Sequence, residues 1–172
     1  MINKTKLICF YGPESTGKSV MAKQMAEHYQ TIYVPEVARE IVSSNNFTLE
    51  DIIEIGKAQN ERVLKNSKTA NKFLFCDTDL ITTQIYCRHY LYEVPPILFE
   101  LEKQVVYDHY FLFDIDVPWV ADGMRDQGTT TQRRKMFEVF KYELDKRSMH
   151  YQIIAGDWET RASLIRSKLE WM

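Results

Sequence analysis

Residues 12–19 read Gly12-Pro13-Glu14-Ser15-Thr16-Gly17-Lys18-Ser19, a complete G-x-x-x-x-G-K-S string. An apolar run, Leu7-Ile8-Cys9-Phe10-Tyr11, precedes it, and a stretch with helical character, Val20 to Tyr29, follows. A strand entering and a helix leaving are the context in which this string holds phosphate. The glycines let the backbone curl so that its N–H groups point inward. The helix N-terminus adds partial positive charge. The Lys18 ammonium is placed to reach the β- and γ-phosphates, and the Ser19 hydroxyl to ligate Mg²⁺. Gly12, Glu14, Ser15, Thr16, Gly17, Lys18, Ser19 and Val20 are therefore the expected triphosphate-binding residues.

Outward from this loop, four further apolar runs alternate with helical stretches: Thr31–Val34, Phe73–Cys76, Tyr110–Ile115 and Tyr151–Ala155. They are nearly continuous in apolar and aromatic residues, which marks strands covered on both faces. A parallel sheet flanked by helices on both sides, a three-layer α/β/α arrangement, is the economical reading. Thr48 with Asp51 three residues on is a helix start, and Pro95-Pro96 ends one helix and begins another. Met136, Phe137, Phe140 and Leu144 form the apolar stripe of a helix between Thr131 and Arg147.

The bulk numbers exclude several classes. At 172 residues the chain suits one domain, 1–172. Its net charge of −2 gives no basic character for nucleic acid. No apolar run approaches the ~20 residues of a membrane span, and the short polar lead-in, Met1 to Lys6, does not fit a signal peptide. Cys9, Cys76 and Cys87 match no zinc spacing and read as free buried thiols of a cytoplasmic protein. His28, His89, His109 and His150 are scattered and suggest no cluster.

In an open parallel sheet, ligands bind where the strands end. Asp77 ends the Phe73–Cys76 run and is the best second Mg²⁺ position, opposite Ser19. Asp79 either approaches the substrate or caps the helix from Leu80 to Tyr92. Glu36, after the second run, either takes a proton from a substrate hydroxyl or starts a surface helix, and Arg39 either clamps substrate or lies on that surface. Val117 to Thr130 carries Gly123, Gly128, Trp119 and Arg125 and reads as a mobile lid loop. Arg125 is its leading arginine for the moving phosphate. Arg133 and Arg134 are alternatives, or else part of a solvated helix face. Trp119 either covers a substrate ring or packs inward. Tyr86 and Tyr90 either stack on a flat heterocycle or pack. Gly156-Asp157-Trp158, after the fifth run, lies where an adenine ring is expected.

The phosphate loop, Asp77-Thr78-Asp79-Leu80-Ile81-Thr82-Thr83-Gln84, and Trp119-Val120-Ala121-Asp122-Gly123-Met124-Arg125-Asp126-Gln127-Gly128 together resemble the ribosylnicotinamide kinase domain of the bacterial NadR family. The resemblance runs over almost the whole chain. It implies a P-loop kinase fold with five parallel strands in the order 2-3-1-4-5. It implies transfer of the ATP γ-phosphate to the 5′-hydroxyl of nicotinamide riboside, giving nicotinamide mononucleotide. Lys18 and Ser19 carry over as phosphate and Mg²⁺ ligands, and Asp77, Asp79, Trp119, Asp122 and Arg125 as motif positions. The expected catalytic set is Lys18, Glu36, Asp79 and Arg125, and the expected substrate contacts are Arg39, Asp79, Tyr86, Trp119 and Asp122. Too few residues precede the first strand for a DNA-binding or nucleotidyltransferase domain. Another nucleoside or small alcohol as acceptor, or a regulatory NTPase switch, are the alternatives.

Overall fold

Phe10 lies at the centre of the sheet, and its surroundings explain the order of the strands. Its ring meets Phe75 at 5.8 Å, Phe111 at 5.7 Å and Phe113 at 5.6 Å between centroids. The computed structural model describes residues 4–172; Met1 to Asn3 of the polar lead-in lie outside them. The elements run β1 (Lys6–Tyr11), α1 (Lys18–His28), β2 (Ile32–Val34), α2 (Ala38–Ile41), α3 (Leu49–Asn66), β3 (Phe73–Asp77), α4 (Leu80–Leu91), α5 (Pro96–Glu102), β4 (His109–Phe113), α6 (Thr130–Lys146), β5 (Tyr151–Ile154) and α7 (Trp158–Glu170). The sheet order is β2-β3-β1-β4-β5, with every pair parallel. This is the order expected.

Side chains alternate across β1. Ile8 and Phe10 pack with Met21, Met25, Ile165 and Leu169 of α1 and α7 on one face. Cys9 and Tyr11 pack with Ile81, Ile85, Phe137 and Phe140 of α4 and α6 on the other. A further cluster joins α3, α4 and α5 through Ile52, Ile55, Leu80, Leu98 and Leu101. There Gly56 is required by crowding: a Cβ on it would stand 2.9 Å from Leu98. The inner strands β1, β3 and β4 are covered on both sides, but the edge strands β2 and β5 are only partly buried. Their apolar runs overstate their burial because each has a neighbour on one side only.

Boundaries shift in two places that matter. Helix α1 begins at Lys18, so Lys18 and Ser19 lie in its first turn, where free N–H groups face the site. Strand β4 ends at Phe113, which leaves Asp114, Ile115 and Asp116 to the loop beyond. Thr48 and Asp51 form the reciprocal capping box that the sequence indicates, and Thr129 with Gln132 forms a second at the start of α6. Cys9, Cys76 and Cys87 are all free and buried. Among the described residues no helix is long and apolar enough to cross a membrane.

His109 is buried in β4 with its Nε2 unpartnered. Burial, helped by Lys168 and His150, lowers its pKa to about 4. A depressed histidine means the unfolded chain binds the proton first. Stability is therefore complete above the ordinary value near 6.5 and is lost as pH falls toward 4, by up to roughly 3 kcal/mol. Asp77 and Asp79, each raised to about 6 by burial first of all, contribute the opposite slope over the same range. The expected result is that His109→Phe removes a loss of stability between pH 6.5 and 4.5 in urea unfolding. Parallel pH profiles for the variant and the wild type would refute it.

Candidate active site

All five strands point the same way, so their C-terminal ends gather at one edge, and the cavity there is lined by residues from most of the strand-end segments. The loop after β1 holds the phosphate-binding string. Gly12 and Gly17 have φ of +133° and +87°, which side chains resist. A Cβ on Gly12 would also stand 2.9 Å from the Phe113 carbonyl oxygen. Lys18 Nζ donates to Pro13 O at 2.6 Å and approaches Thr16 Oγ1 at 3.4 Å, so the loop closes around its own cation. Desolvation lowers the Lys18 pKa, and Asp77 and Glu36 act against that shift.

Asp77 is 1% exposed at the end of β3, and its Oδ1 has no hydrogen-bond partner. Burial pushes its pKa up to about 6, reinforced by Glu36 and opposed by Lys18 and a hydrogen bond from Ser19. A buried carboxylate oxygen left free beside a hydroxyl is a hard oxygen pair of the kind Mg²⁺ accepts. Among the described residues no three His, Cys, Asp or Glu side chains converge on a metal site. Ser19 and Asp77 fit an ion that would take its remaining ligands from water and phosphate.

One cavity, open to solvent, has both the phosphate loop and a mostly apolar, aromatic chamber wall in its lining. Gly12, Glu14, Ser15, Thr16, Gly17, Lys18, Ser19 and Val20 line it from the loop. Val42, Phe47, Ile52, Ile55, Tyr86 and Tyr90 form the apolar and aromatic wall. Glu36, Arg39 and Arg125 also line it. The Tyr86 and Tyr90 rings lie 6.3 Å apart and near parallel, and Tyr86 also packs edge-on to Phe140. Glu36 accepts from Arg39 Nε at 3.0 Å, and Arg39 donates to Asp122 at 2.7 Å.

The lid segment 117–129 is docked on the phosphate loop. Glu14 Oε1 accepts from the Trp119 indole N–H at 3.1 Å and from Gln127 N at 2.8 Å. Ser15 Oγ accepts from Val120 N at 2.7 Å. Arg125 donates to Val120 O at 2.7 Å, and its Nε lies 3.1 Å from Asp122. Tyr90 donates to Asp126 at 2.7 Å, and Asn45 donates to Met124 O at 2.6 Å. The lid therefore bridges the phosphate loop, the α2–α3 connection and α4.

Three expected site residues are placed elsewhere. Asp79 is 2% exposed and caps α4: Oδ1 accepts from Thr82 N at 2.9 Å and Oδ2 accepts from Tyr110 Oη at 3.0 Å. Both oxygens are hydrogen-bonded within the protein, and it lines a different cavity, with Tyr107, Tyr110 and Glu102, from the one that holds the phosphate loop. Trp119 is tied to Glu14 and packs over Gly128, where a Cβ would lie 3.2 Å from the indole; it builds the lid and is not among the residues lining the cavity. Asp122 likewise stays off the cavity wall. It accepts from Met124 N, Arg125 N and Arg39, bonds that hold its carboxyl below the ordinary value despite partial desolvation. Neutral donors thus hold Asp79, and a guanidinium with two backbone amides holds Asp122.

Arg133 is not on a solvated face. It is 8% exposed and donates to Val117 O at 2.7 Å and to Ser15 O at 3.4 Å, whereas Arg134 is exposed and lies 3.7 Å from Asp114. Trp158 lies against Gly17 and donates to Gln24 at 2.9 Å. Arg161 is the main residue that sequence patterning misses. It is fully buried and donates to Thr16 O at 2.9 Å, Gly156 O at 2.8 Å, Asp114 O at 3.1 Å and the Asp116 carboxylate. One guanidinium thus joins the phosphate loop to the ends of β4 and β5. An arginine within the apolar stripe of α7 (Ala162, Ile165, Leu169) is the only signal that precedes it.

Residues 7–161 match the model of a family described as AAA domain. Among curated proteins, the trifunctional NAD biosynthesis/regulator protein NadR of Escherichia coli (strain K12) is 28% identical over 165 residues, which is 91% of this chain and 40% of that protein. The chain thus spans about two-fifths of the length of that relative. A crystal structure of NadR protein in complex with NR superimposes with a TM-score of 0.79 at 20% identity, over 98% of this chain and 52% of that one. One of NadR protein in complex with NAD and AMP-PNP gives 0.78 at 17%, over 98% and 50%. At those identities the likeness is one of fold.

Proposed function

Since the chain belongs to the AAA-domain family that its residues 7–161 match, we propose that it is an ATP-dependent kinase of nicotinamide riboside, forming nicotinamide mononucleotide and ADP. The carrying observation is the cavity lined both by the phosphate loop and by an apolar, aromatic wall, with Glu36, Arg39 and Arg125 also in its lining. A switch that only hydrolyses nucleotide has no use for an apolar, aromatic wall in the cavity that holds its phosphate loop. The likeness to a NadR protein in complex with NR, and to one with NAD and AMP-PNP, supports the choice of acceptor and donor.

In this reading the loop amides and Lys18 hold the β- and γ-phosphates. Ser19 and Asp77 would hold Mg²⁺, which when bound neutralises charge on the phosphate oxygens. Glu36 accepts the proton of the 5′-hydroxyl as that oxygen forms its bond to the γ-phosphorus. The bond from the γ-phosphorus to the β,γ-bridging oxygen breaks, and the electron pair leaves with ADP. Arg125, carried by the lid, faces the charge that develops on the transferring group, and the docked lid excludes water. The ring of the acceptor lies against Tyr86. Three unpaired buried thiols support a reducing, cytoplasmic location, and the net charge of −2 supports a small-molecule partner over nucleic acid.

The test is ADP release from Mg·ATP with and without nicotinamide riboside, alongside a nucleoside panel. Strong stimulation by nicotinamide riboside with the mononucleotide as product is expected. Stimulation by another nucleoside alone would move the substrate. Steady hydrolysis that no acceptor stimulates would replace the kinase with an NTPase.

A further inference from the structure

Gln59 stands on the face of α3 that carries Ile55 and Ile52, one and two turns earlier, and like them it lines the aromatic chamber. It is 2% exposed. Its Oε1 accepts from Val37 N at 3.3 Å, while its Nε2 has no hydrogen-bond partner. Turning the amide over would set its NH₂ against the Val37 N–H, donor against donor, so the orientation is determined and the free group is a donor. Leaving a buried amide donor unpaired costs about 1–3 kcal/mol, which a fold retains where a partner arrives later. Four neighbouring donors of the same cavity are already committed to protein. Asn45 Nδ2 donates to Met124 O, Thr82 Oγ1 to Asp79, Thr83 Oγ1 to Asp79 O and Tyr90 Oη to Asp126.

We propose that Gln59 is a specificity residue that donates its free Nε2–H to an oxygen of the bound acceptor nucleoside. The chemistry on the ligand is a hydrogen-bond-accepting oxygen, supplied either by the carbonyl on the ring or by a ribose hydroxyl. Apolar and aromatic walls hold the flat ring without discriminating among rings of similar size, and the buried donor discriminates, because an analogue lacking the oxygen leaves it unpaired again. This inference rests on the kinase reading and goes further in naming what the chamber reads.

The experiment is a set of cycles at pH 8. Wild type, Gln59→Glu and Gln59→Leu are each assayed for kcat/KM with nicotinamide riboside, its analogue without the carboxamide, and its 2′- and 3′-deoxy analogues. Gln59→Glu keeps the acceptor for Val37 N and exchanges the donor for a carboxylate, whose added charge acts on all four substrates alike and is read as a common factor, and thermal melts show that each variant is folded. Both variants are expected to lose about 10- to 100-fold in kcat/KM for nicotinamide riboside, mainly through KM. With the one analogue that lacks the contacted oxygen the loss beyond any common factor disappears: the analogue without carboxamide identifies the ring carbonyl, and a deoxy analogue identifies the ribose. Equal losses on all four substrates, or no loss on any, overturn the inference while leaving the kinase reading intact. Absence of wild-type turnover with any riboside overturns both.

Discussion

Lys18→Ala is expected to lower ATP turnover by about a hundredfold or more, which corresponds to at least ~3 kcal/mol of transition-state stabilisation. Lys18 lies in the first turn of α1, among inward-facing N–H groups, and is the one ammonium in the lining of the cavity. Its charge is held against a desolvation penalty by Asp77 and Glu36 and by the bond to Pro13 O. The loss should fall on kcat more than on KM for ATP, because charge on the phosphate oxygens shifts as the γ-phosphoryl group moves. The fold should survive, since removal of the ammonium also removes a buried charge. Without it Asp77 loses the cation that most opposes its upward shift, and its carboxyl, already raised to about 6, rises further. The measurement is ADP release together with a thermal melt. Undiminished turnover in a folded variant would show that the loop does not work on phosphate.

Arg161→Leu is expected to act on both stability and nucleotide binding. The change strips donors from the Thr16, Gly156 and Asp114 carbonyls and leaves Asp116 without its partner. Asp116 is exposed and takes up water once its partner is gone, so the cost is that of the carbonyls left unpaired around a fully buried side chain, ~3 kcal/mol in all. In a chain of this size that is a fall of roughly 10 °C in Tm. The Thr16 carbonyl belongs to the phosphate loop itself, so the remaining folded protein should bind ATP more weakly, with KM raised more than kcat is lowered. Arg161→Lys keeps the charge but cannot serve carbonyls from three separate segments, and should recover part of the stability and little of the affinity. Urea unfolding and initial rates decide it. A variant within ~1 kcal/mol of wild type, with an unchanged KM for ATP, would show that the four bonds are incidental.

The contrast between these two residues runs through the whole molecule. Lys18 sits inside an eight-residue string whose strand, loop and helix follow one another without interruption, and its work depends on its neighbours in sequence. Arg161 reaches Thr16 across 145 positions. Asp79 shows the same division within one motif. Its spacing after a buried strand is equally good for a ligand or a helix cap, and Tyr110, 31 residues on, takes the second oxygen and settles the choice. Glu14 reads as one more phosphate-loop position, yet its carboxylate faces the lid at Trp119 and Gln127, more than 100 residues away.

By itself, then, the sequence determined the parallel sheet, the phosphate loop, the strand-end position of Asp77 and the capping box at Thr48. Each of these depends on dihedral preferences, apolar runs or side-chain-to-backbone bonds that span a few residues. Only the tertiary structure decided that Asp79 and Asp122 are spent on protein partners, that Trp119 and Arg133 anchor a lid, that Arg161 ties three loops together, and that Gln59 keeps one donor free. Those outcomes depend on which distant group reaches a buried donor or acceptor first. Chain topology brings such groups together, and residue spacing along the chain carries no record of it.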